Sequence, residues 1–335
     1  MKVIVDDKIP FIQGQIEQIA DDVRYLRGAA ITAADVRDAD ALIVRTRTRC
    51  DEALLAGSSV QLVVTATIGF DHIDTQWLER NGIRWTNCPG CNAASVRQYV
   101  HCSLLALGLL RKDLTVGVVG VGHVGTLVAD DLEACGMRVL RCDPPRAERE
   151  GVDGFYTLEQ LAEQCDIITF HTPCTTTGAY PTHHLADAAF FASLRRKPLI
   201  INAARGPVVD TQALLTAMDQ GVVRDVVIDT WEGEPAINMD LLRRAVIATP
   251  HVAGYSADGK ANATRMSLQA LCRHFGLPFE LNIQPPALPE GFCYGRSTDD
   301  PALRLYDPEA DTARLKSAPD TFEQLRGDYP LRREF

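Results

Sequence analysis

The chain has 335 residues, enough for about two domains. Hydrophobic residues at 46% and charged residues at 23% are globular values, which excludes a disordered or fibrous chain. The formal net charge of -10 argues against a nucleic-acid or anionic-membrane binder, though it leaves room for a small basic pocket.

Val3–Val5, Leu42–Val44 and Leu62–Val64 read as buried strands, with amphipathic stretches at 12–20, 51–56 and 74–81 between them. Residues 92–111 read as a long helix, with Asn92 as its candidate N-cap. Val116–Val119, Val139–Leu140, Ile167–Phe170, Leu199–Ile201 and Val226–Ile228 follow as strands, and a second long helix is expected over 256–277. Continuous apolar strands separated by helices predict an α/β protein with parallel sheets covered on both faces. Pro278, Pro285, Pro286 and Pro289 mark a change of character, and the polar tail beyond carries a helical pattern near 319–328. The longest apolar run, Val100–Leu110, is interrupted by His101, Ser103 and Gly108, short of the ~18 residues that span a bilayer. With no signal-peptide pattern at the start, a cytoplasmic protein that avoids membranes is expected.

The predicted architecture is therefore two doubly wound parallel-sheet domains of Rossmann or flavodoxin-like type plus a small C-terminal α+β dimerisation segment. The boundaries are 1–92 with 256–285 for a substrate-binding domain, 93–255 for a dinucleotide-binding domain, and 286–335 for the tail. The two long helices would carry the chain between the domains, and a cleft at such a junction is a common ligand site. A tail this short is too small for a comfortable core of its own, which predicts completion against a second copy in a two-fold homodimer.

Ten cysteines are scattered along the chain. Cys88-Pro89-Gly90-Cys91 has redox-pair spacing, but it lies in a Pro-Gly turn and no second such pair completes a zinc site. Reduced loop cysteines and no bound metal are expected.

The strongest motif is Gly120-Val121-Gly122-His123-Val124-Gly125, directly after the strand Val116–Val119 and opening a helix. In that context G-x-G-x-x-G serves a tight turn, a close approach to pyrophosphate and helix–strand packing, with the helix N-terminus holding the anion. Asp143, at the end of the next apolar run, can accept from both ribose hydroxyls and would repel a 2′-phosphate, which selects NAD. Arg141 and Arg146 nearby leave room for some NADP tolerance.

Among eight histidines, His251 differs. It follows Ala248-Thr249-Pro250 at a strand end, the crevice side of such sheets, and Ala253-Gly254-Tyr255 comes next. Oxidising an alcohol needs a base for the hydroxyl proton, and imidazole titrates near neutrality. A carboxylate must orient it, and Glu234 in Trp231-Glu232-Gly233-Glu234-Pro235 follows another strand end. Arg205 in Asn202-Ala203-Ala204-Arg205-Gly206 follows a third, and its planar fork suits a substrate carboxylate. For a phosphate, Arg45 and Arg47 in Arg45-Thr46-Arg47-Thr48-Arg49 are the first candidates, provided a turn after Arg45 breaks strand alternation; Arg332 and Arg333 are alternative donors.

Arg in N-A-x-R-G, Glu in W-E-G-E-P and His in T-P-H-x-A-G, in that order after G-x-G-x-x-G, resemble the D-isomer-specific 2-hydroxyacid dehydrogenases. Thr65–His72, Pro89–Ala93, Cys142–Arg146, His251–Tyr255 and the tail extend the likeness over nearly the whole chain, toward a member acting on a phosphorylated 2-hydroxy acid. The resemblance implies catalysis by Arg205, Glu234 and His251. It implies NAD contacts at Gly120, Gly122, His123, Val124, Gly125, Asp143, Thr172, Ala203, Ala204, Arg205, Asp229 and Gly254, and substrate contacts at Thr46, Thr67 and Tyr255. It also points to a homodimer. The rivals are another D-2-hydroxy acid, such as glycerate or phosphoglycerate, and a corepressor-like NAD(H) sensor without turnover; three intact catalytic residues argue against the sensor.

Overall fold

The structure, a computed structural model, describes all residues from Met1 to Phe335. It divides into two compact units, Met1–Asn92 with Ser256–Ala287 and Ala93–Tyr255 with Leu288–Phe335.

The first unit is built on five parallel strands, β1 (Lys2–Asp6), β2 (Asp22–Leu26), β3 (Ala41–Val44), β4 (Leu62–Thr65) and β5 (Arg84–Thr86), in the order β2-β1-β3-β4-β5. β3 and β4 are buried throughout, which is why they read as unbroken apolar runs. β2 and β5 lie at the edges, only half-buried, and DVRYL and RWT carry no such run, so the sequence did not reveal them. The amphipathic stretch at 12–20 forms only the 3₁₀ turn Ile16–Gln18, with Ile12 and Ile16 in the core. The helix Ala257–Phe275 belongs to this unit. Ser256 caps its start by accepting from the Gly259 N–H at 2.8 Å, and Gly276 ends it in the left-handed region at φ 67°.

The second unit has six parallel strands, β6 (Thr115–Val119), β7 (Arg138–Cys142), β8 (Ile167–Phe170), β9 (Leu199–Asn202), β10 (Asp225–Ile228) and β11 (Ile247–Ala248), in the order β11-β10-β9-β8-β6-β7. Strand alternation feeds two cores: Leu199 and Ile201 face one and Ile200 faces the other. The helices Ala93–Ala106 and His123–Ala134 pack over the face of Leu199 and Ile201.

The tail departs from the expected α+β segment. Residues 288–335 hold the helices Pro301–Leu305, Pro308–Ser317 and Phe322–Gly327 and no strand. They complete their core on their own chain: Leu315 and Phe322 join one core of the second unit, and Tyr294, Leu303 and Tyr306 join the other. The reason lies at the sheet edge. β11 is only two residues long, and Thr312 Oγ1 accepts the Ala248 N–H at 3.0 Å, so a helix of the tail covers the open ladder. No helix of the chain is long and apolar enough to cross a membrane.

Candidate active site

The glycine loop lies between β6 and the helix His123–Ala134. Gly120 sits at φ 84°, and a Cβ there would come within 2.7–2.9 Å of His171 and Thr172. A Cβ on Gly125 would lie 1.9 Å from the Gly120 carbonyl, whereas one on Gly122 would meet nothing within 4 Å. The first glycine thus serves the turn, the third serves close packing, and the second leaves a bare surface. No side chain caps this helix, so the amides of His123 and Val124 remain available to an anion.

Two buried polar atoms beside this loop have no partner: Thr172 Oγ1 and His171 Nδ1. His171 Nε2 bonds Thr169 Oγ1 at 2.9 Å, and burial pushes the imidazole pKa down to about 3, so it is neutral. Asp143 follows β7, and its carboxylate accepts from the Val121 N–H at 2.8 Å and the Arg146 N–H at 2.9 Å. Arg146 turns back to donate to the Val121 carbonyl at 2.8 Å. An acidic group and unpartnered buried polar atoms around a bare helix N-terminus fit a dinucleotide. Pyrophosphate would lie on Gly120–Gly125 and ribose on Asp143.

Arg205, Glu234 and His251, the residues expected to be catalytic, stand after β9, β10 and β11. Glu234 Oε2 accepts from His251 Nδ1 at 2.8 Å, and Glu234 Oε1 accepts from the Trp231 N–H at 2.8 Å. Burial pushes the Glu234 carboxyl upward, but the hydrogen bond and charge of His251 outweigh it, and the group lies below its ordinary range. Because a carboxylate only accepts, Nδ1 carries the proton of this bond, so in the neutral imidazole Nε2 keeps its lone pair. Arg205 is exposed and donates from Nη1 to the Ala204 carbonyl at 2.8 Å, leaving most of its fork outward. Gly206 explains how the segments meet: a Cβ there would fall 2.0 Å from the Trp231 carbonyl, so only glycine lets the Arg205 loop lie against the Glu234 segment. Asn202 holds that loop, accepting from the Ala204 N–H at 3.2 Å and donating to the Arg205 carbonyl at 3.1 Å.

His251 itself has φ 57°, in the left-handed region that favours glycine. Asp229 maintains it. Its backbone carbonyl accepts the His251 N–H at 2.8 Å, and its Oδ1 accepts Thr249 Oγ1 at 2.6 Å, the Val252 N–H at 2.8 Å and the Ala253 N–H at 3.0 Å. The Ala253 N–H also reaches Oδ2 at 3.0 Å. Asp229 is 1% exposed and its carboxyl is raised by burial. Its oxygens are largely committed to the turn that carries His251, a role the sequence did not suggest for it. Trp231 ties the same region together, its Nε1 donating to the Thr249 carbonyl at 2.9 Å.

Gly254 follows this turn, and Tyr255 packs edge-on to Tyr329 of the tail at 5.8 Å. Arg326, also from the tail, lies over the Tyr255 ring at 6.0 Å and acts electrostatically on Glu234, while its Nε is buried without a partner. Of the proposed phosphate donors, Arg332 is fully buried in the protein, so it is not an open phosphate contact.

In the first unit, β3 ends at Val44 and a turn follows, with the Thr48 N–H bonding the Arg45 carbonyl at 3.3 Å. That turn frees Arg45, Thr46 and Arg47 from strand alternation. Thr46 and Arg47 are exposed, Thr48 is buried on the Gly28 carbonyl at 2.9 Å, and Arg49 pairs with Asp51 at 2.7 Å. Arg45 donates to the Lys8 carbonyl at 3.1 Å. Thr67 already uses its hydroxyl on the Gly69 carbonyl at 2.9 Å and on Thr65 Oγ1 at 2.7 Å. Cys88 and Cys91 are not joined in a disulfide, and Cys88 is buried against the Ala263 carbonyl at 3.3 Å. His101, Asp131 and Cys135 bring ligand atoms within 4.8 Å, but Arg97 donates to Asp131 at 3.2 Å and already supplies positive charge there.

A strand-end Arg, Glu and His behind a dinucleotide loop define a D-isomer-specific 2-hydroxyacid dehydrogenase, and the chain belongs to that family. Residues 101–253 match its NAD-binding domain. Among curated relatives, an erythronate-4-phosphate dehydrogenase of Bacteroides thetaiotaomicron is 54% identical, covering 100% of this chain and 97% of the relative. Enzymes of the same name from Porphyromonas gingivalis and Escherichia coli are 44% and 42% identical over the full chain, with 94% and 92% of their own lengths covered. Among solved structures, D-lactate dehydrogenase from Aquifex aeolicus with NAD and lactic acid superposes at a TM-score of 0.64 and 23% identity, over 82% of this chain and 96% of that one. D-2-hydroxyisocaproate dehydrogenase gives 0.67 at 23% identity, over 82% and 97%. These two show the fold.

Proposed function

We propose that the protein oxidises 4-phospho-D-erythronate to (R)-3-hydroxy-2-oxo-4-phosphobutanoate with NAD, a step of pyridoxal 5′-phosphate synthesis. The observation that carries the chemistry is the 2.8 Å pair of His251 and Glu234 on the sheet that also holds the glycine loop. The substrate assignment rests on full-length relatives of that name. His251 Nε2 takes the C2 hydroxyl proton as the carbonyl forms, and Glu234 stabilises the imidazolium. Arg205 holds the carboxylate and polarises the C2 oxygen. NAD, when bound, accepts the hydride that leaves C2. In the first unit, we assign substrate contact to Thr46 and Thr67 and phosphate contact to Arg45 and Arg47, with Tyr255 a further substrate contact in the second.

Arg205, Glu234 and His251 are all present, which a binding-only NAD sensor would not need. The homodimer and cytoplasmic location belong to this proposal as well. Because the tail completes its core on its own chain, only its outward face is left for a partner, and light scattering on the full chain tests the dimer. The activity is tested with a panel of D-2-hydroxy acids, following nicotinamide absorbance, with His251→Gln beside the parent. Phosphoerythronate should be the best substrate. His251→Gln should lower kcat on the order of 10²–10⁴-fold while NADH still binds. A preference for an unphosphorylated acid would overturn the substrate, and a fully active His251→Gln would overturn the mechanism.

A further inference from the structure

We propose that Arg332 of the tail is a positioning residue for His251: its guanidinium grips the two carbonyls that follow the base and sets the turn presenting the imidazole. The inference rests on the reading of His251 as the base.

Arg332 is 0% exposed, the largest fully buried side chain of the protein. Nη1 donates to the Val252 carbonyl at 3.3 Å and the Ala253 carbonyl at 3.4 Å. Nη2 donates to the Ser95 carbonyl at 2.7 Å, and Nε donates to Gln98 Oε1 at 2.9 Å. The face of the guanidinium lies over the Tyr306 ring at 3.6 Å. Every contact is thus a carbonyl, an amide oxygen or a ring face, and no carboxylate pairs with the charge directly.

The buried Asp311 of the tail feels the charge of Arg332, and a second buried carboxylate, Asp229, stands on the other side of the turn. Asp229 holds the N–H groups of Val252 and Ala253, and Arg332 holds the carbonyl groups of the same two residues. Val252 and Ala253 are therefore fixed between a buried negative and a buried positive group, each facing the peptide dipoles with the matching sign. Ser95 Oγ adds a third hold, donating to the Ala253 carbonyl at 2.8 Å. Such restraint has a purpose at this point in the chain. His251 lies one residue before the clamp with φ 57°, a strained setting for a side chain that must keep its Nδ1 on Glu234. Without the clamp the turn could relax and carry the imidazole off its carboxylate. A packed core alone would not need this arrangement, because a leucine fills space without demanding four oriented acceptors.

Lysine keeps the charge but is a point donor that cannot span Gln98, Ser95 and both turn carbonyls. Arg332→Lys in the full chain should therefore lower kcat by about 10–100-fold, the usual cost of displacing a catalytic group by about an ångström. KM for NAD and NADH binding by fluorescence should stay within about twofold. In Arg332→Ala, guanidinium at non-denaturing concentration should restore part of the lost kcat, and methylammonium should not. Gln98→Leu, which loosens the same fork while leaving Arg332 in place, should lower kcat in the same sense and serves if Arg332→Ala does not fold. Arg332→Lys with parent kcat, or with kcat and NADH binding lost in proportion, would overturn the proposal. His251→Gln, measured alongside, separates the two failures: if it is inactive while Arg332→Lys and Gln98→Leu are unaffected, the base stands and the clamp falls.

Discussion

Glu234→Gln tests the mechanism with the smallest change of shape. The carboxylate serves two donors at once, the Trp231 N–H through Oε1 and His251 through Oε2, both at 2.8 Å. A glutamine has one acceptor and one donor end. If its oxygen stays on Trp231, its amide faces Nδ1 and forces the tautomer that carries its proton on Nε2, where the base should be. If it flips, the amide opposes the Trp231 N–H, donor against donor. Either way one charge-assisted bond is lost, worth about 1.5–3 kcal/mol, which at about 1.4 kcal/mol per decade predicts a fall in kcat of about 10–150-fold. The effect should be smaller than that of removing His251. The assay is kcat/KM for phosphoerythronate with NAD across pH. In the parent, Glu234 lies below its ordinary range and stays ionised through that window, so the acid limb does not report it. In the variant that limb should move, since the imidazole has lost its anionic partner. Activity within about threefold of the parent, together with an unmoved profile, would refute the pairing.

NAD should be preferred over NADP by about tenfold or more in kcat/KM, and Asp143→Ala should narrow the ratio; because Asp143 also caps the Val121 and Arg146 amides, that variant should lose about 1 kcal/mol of stability as well. Leu315→Ala should destabilise the second unit by about 2–5 kcal/mol in denaturant melts, since Leu315 is 0% exposed within its core; a change below about 0.5 kcal/mol would mean that the tail does not pack as seen. His171, held neutral with a folded pKa of about 3 against about 6.5 unfolded, takes up a proton more readily when unfolded. Stability should therefore fall as pH drops below about 6.5, at up to about 1.4 kcal/mol per pH unit from this group, and His171→Gln should flatten that part of the urea midpoint profile.

Strong local signals made much of this protein legible before folding. Strands buried on both faces spell unbroken apolar runs, and the glycine loop has a spacing that backbone geometry alone demands. His251, Glu234 and Arg205 each follow such a run, so their place at strand ends could be read residue by residue. The half-buried edges β2 and β5 carry no run and escaped notice, and the apolar spacing at 12–20 serves two buried isoleucines on a short turn. What lies far apart in the chain was decided by tertiary structure alone. The tail is helical and covers the two-residue strand β11, where Thr312 Oγ1 accepts the Ala248 N–H. Asp229 and Arg332 lie 103 positions apart in the chain and belong to no shared motif, yet both close on Val252 and Ala253. Periodicity and spacing report only what neighbours in sequence do. A buried charge finds its partners through the packing of distant segments, and that packing holds His251 in a conformation its own residue type disfavours.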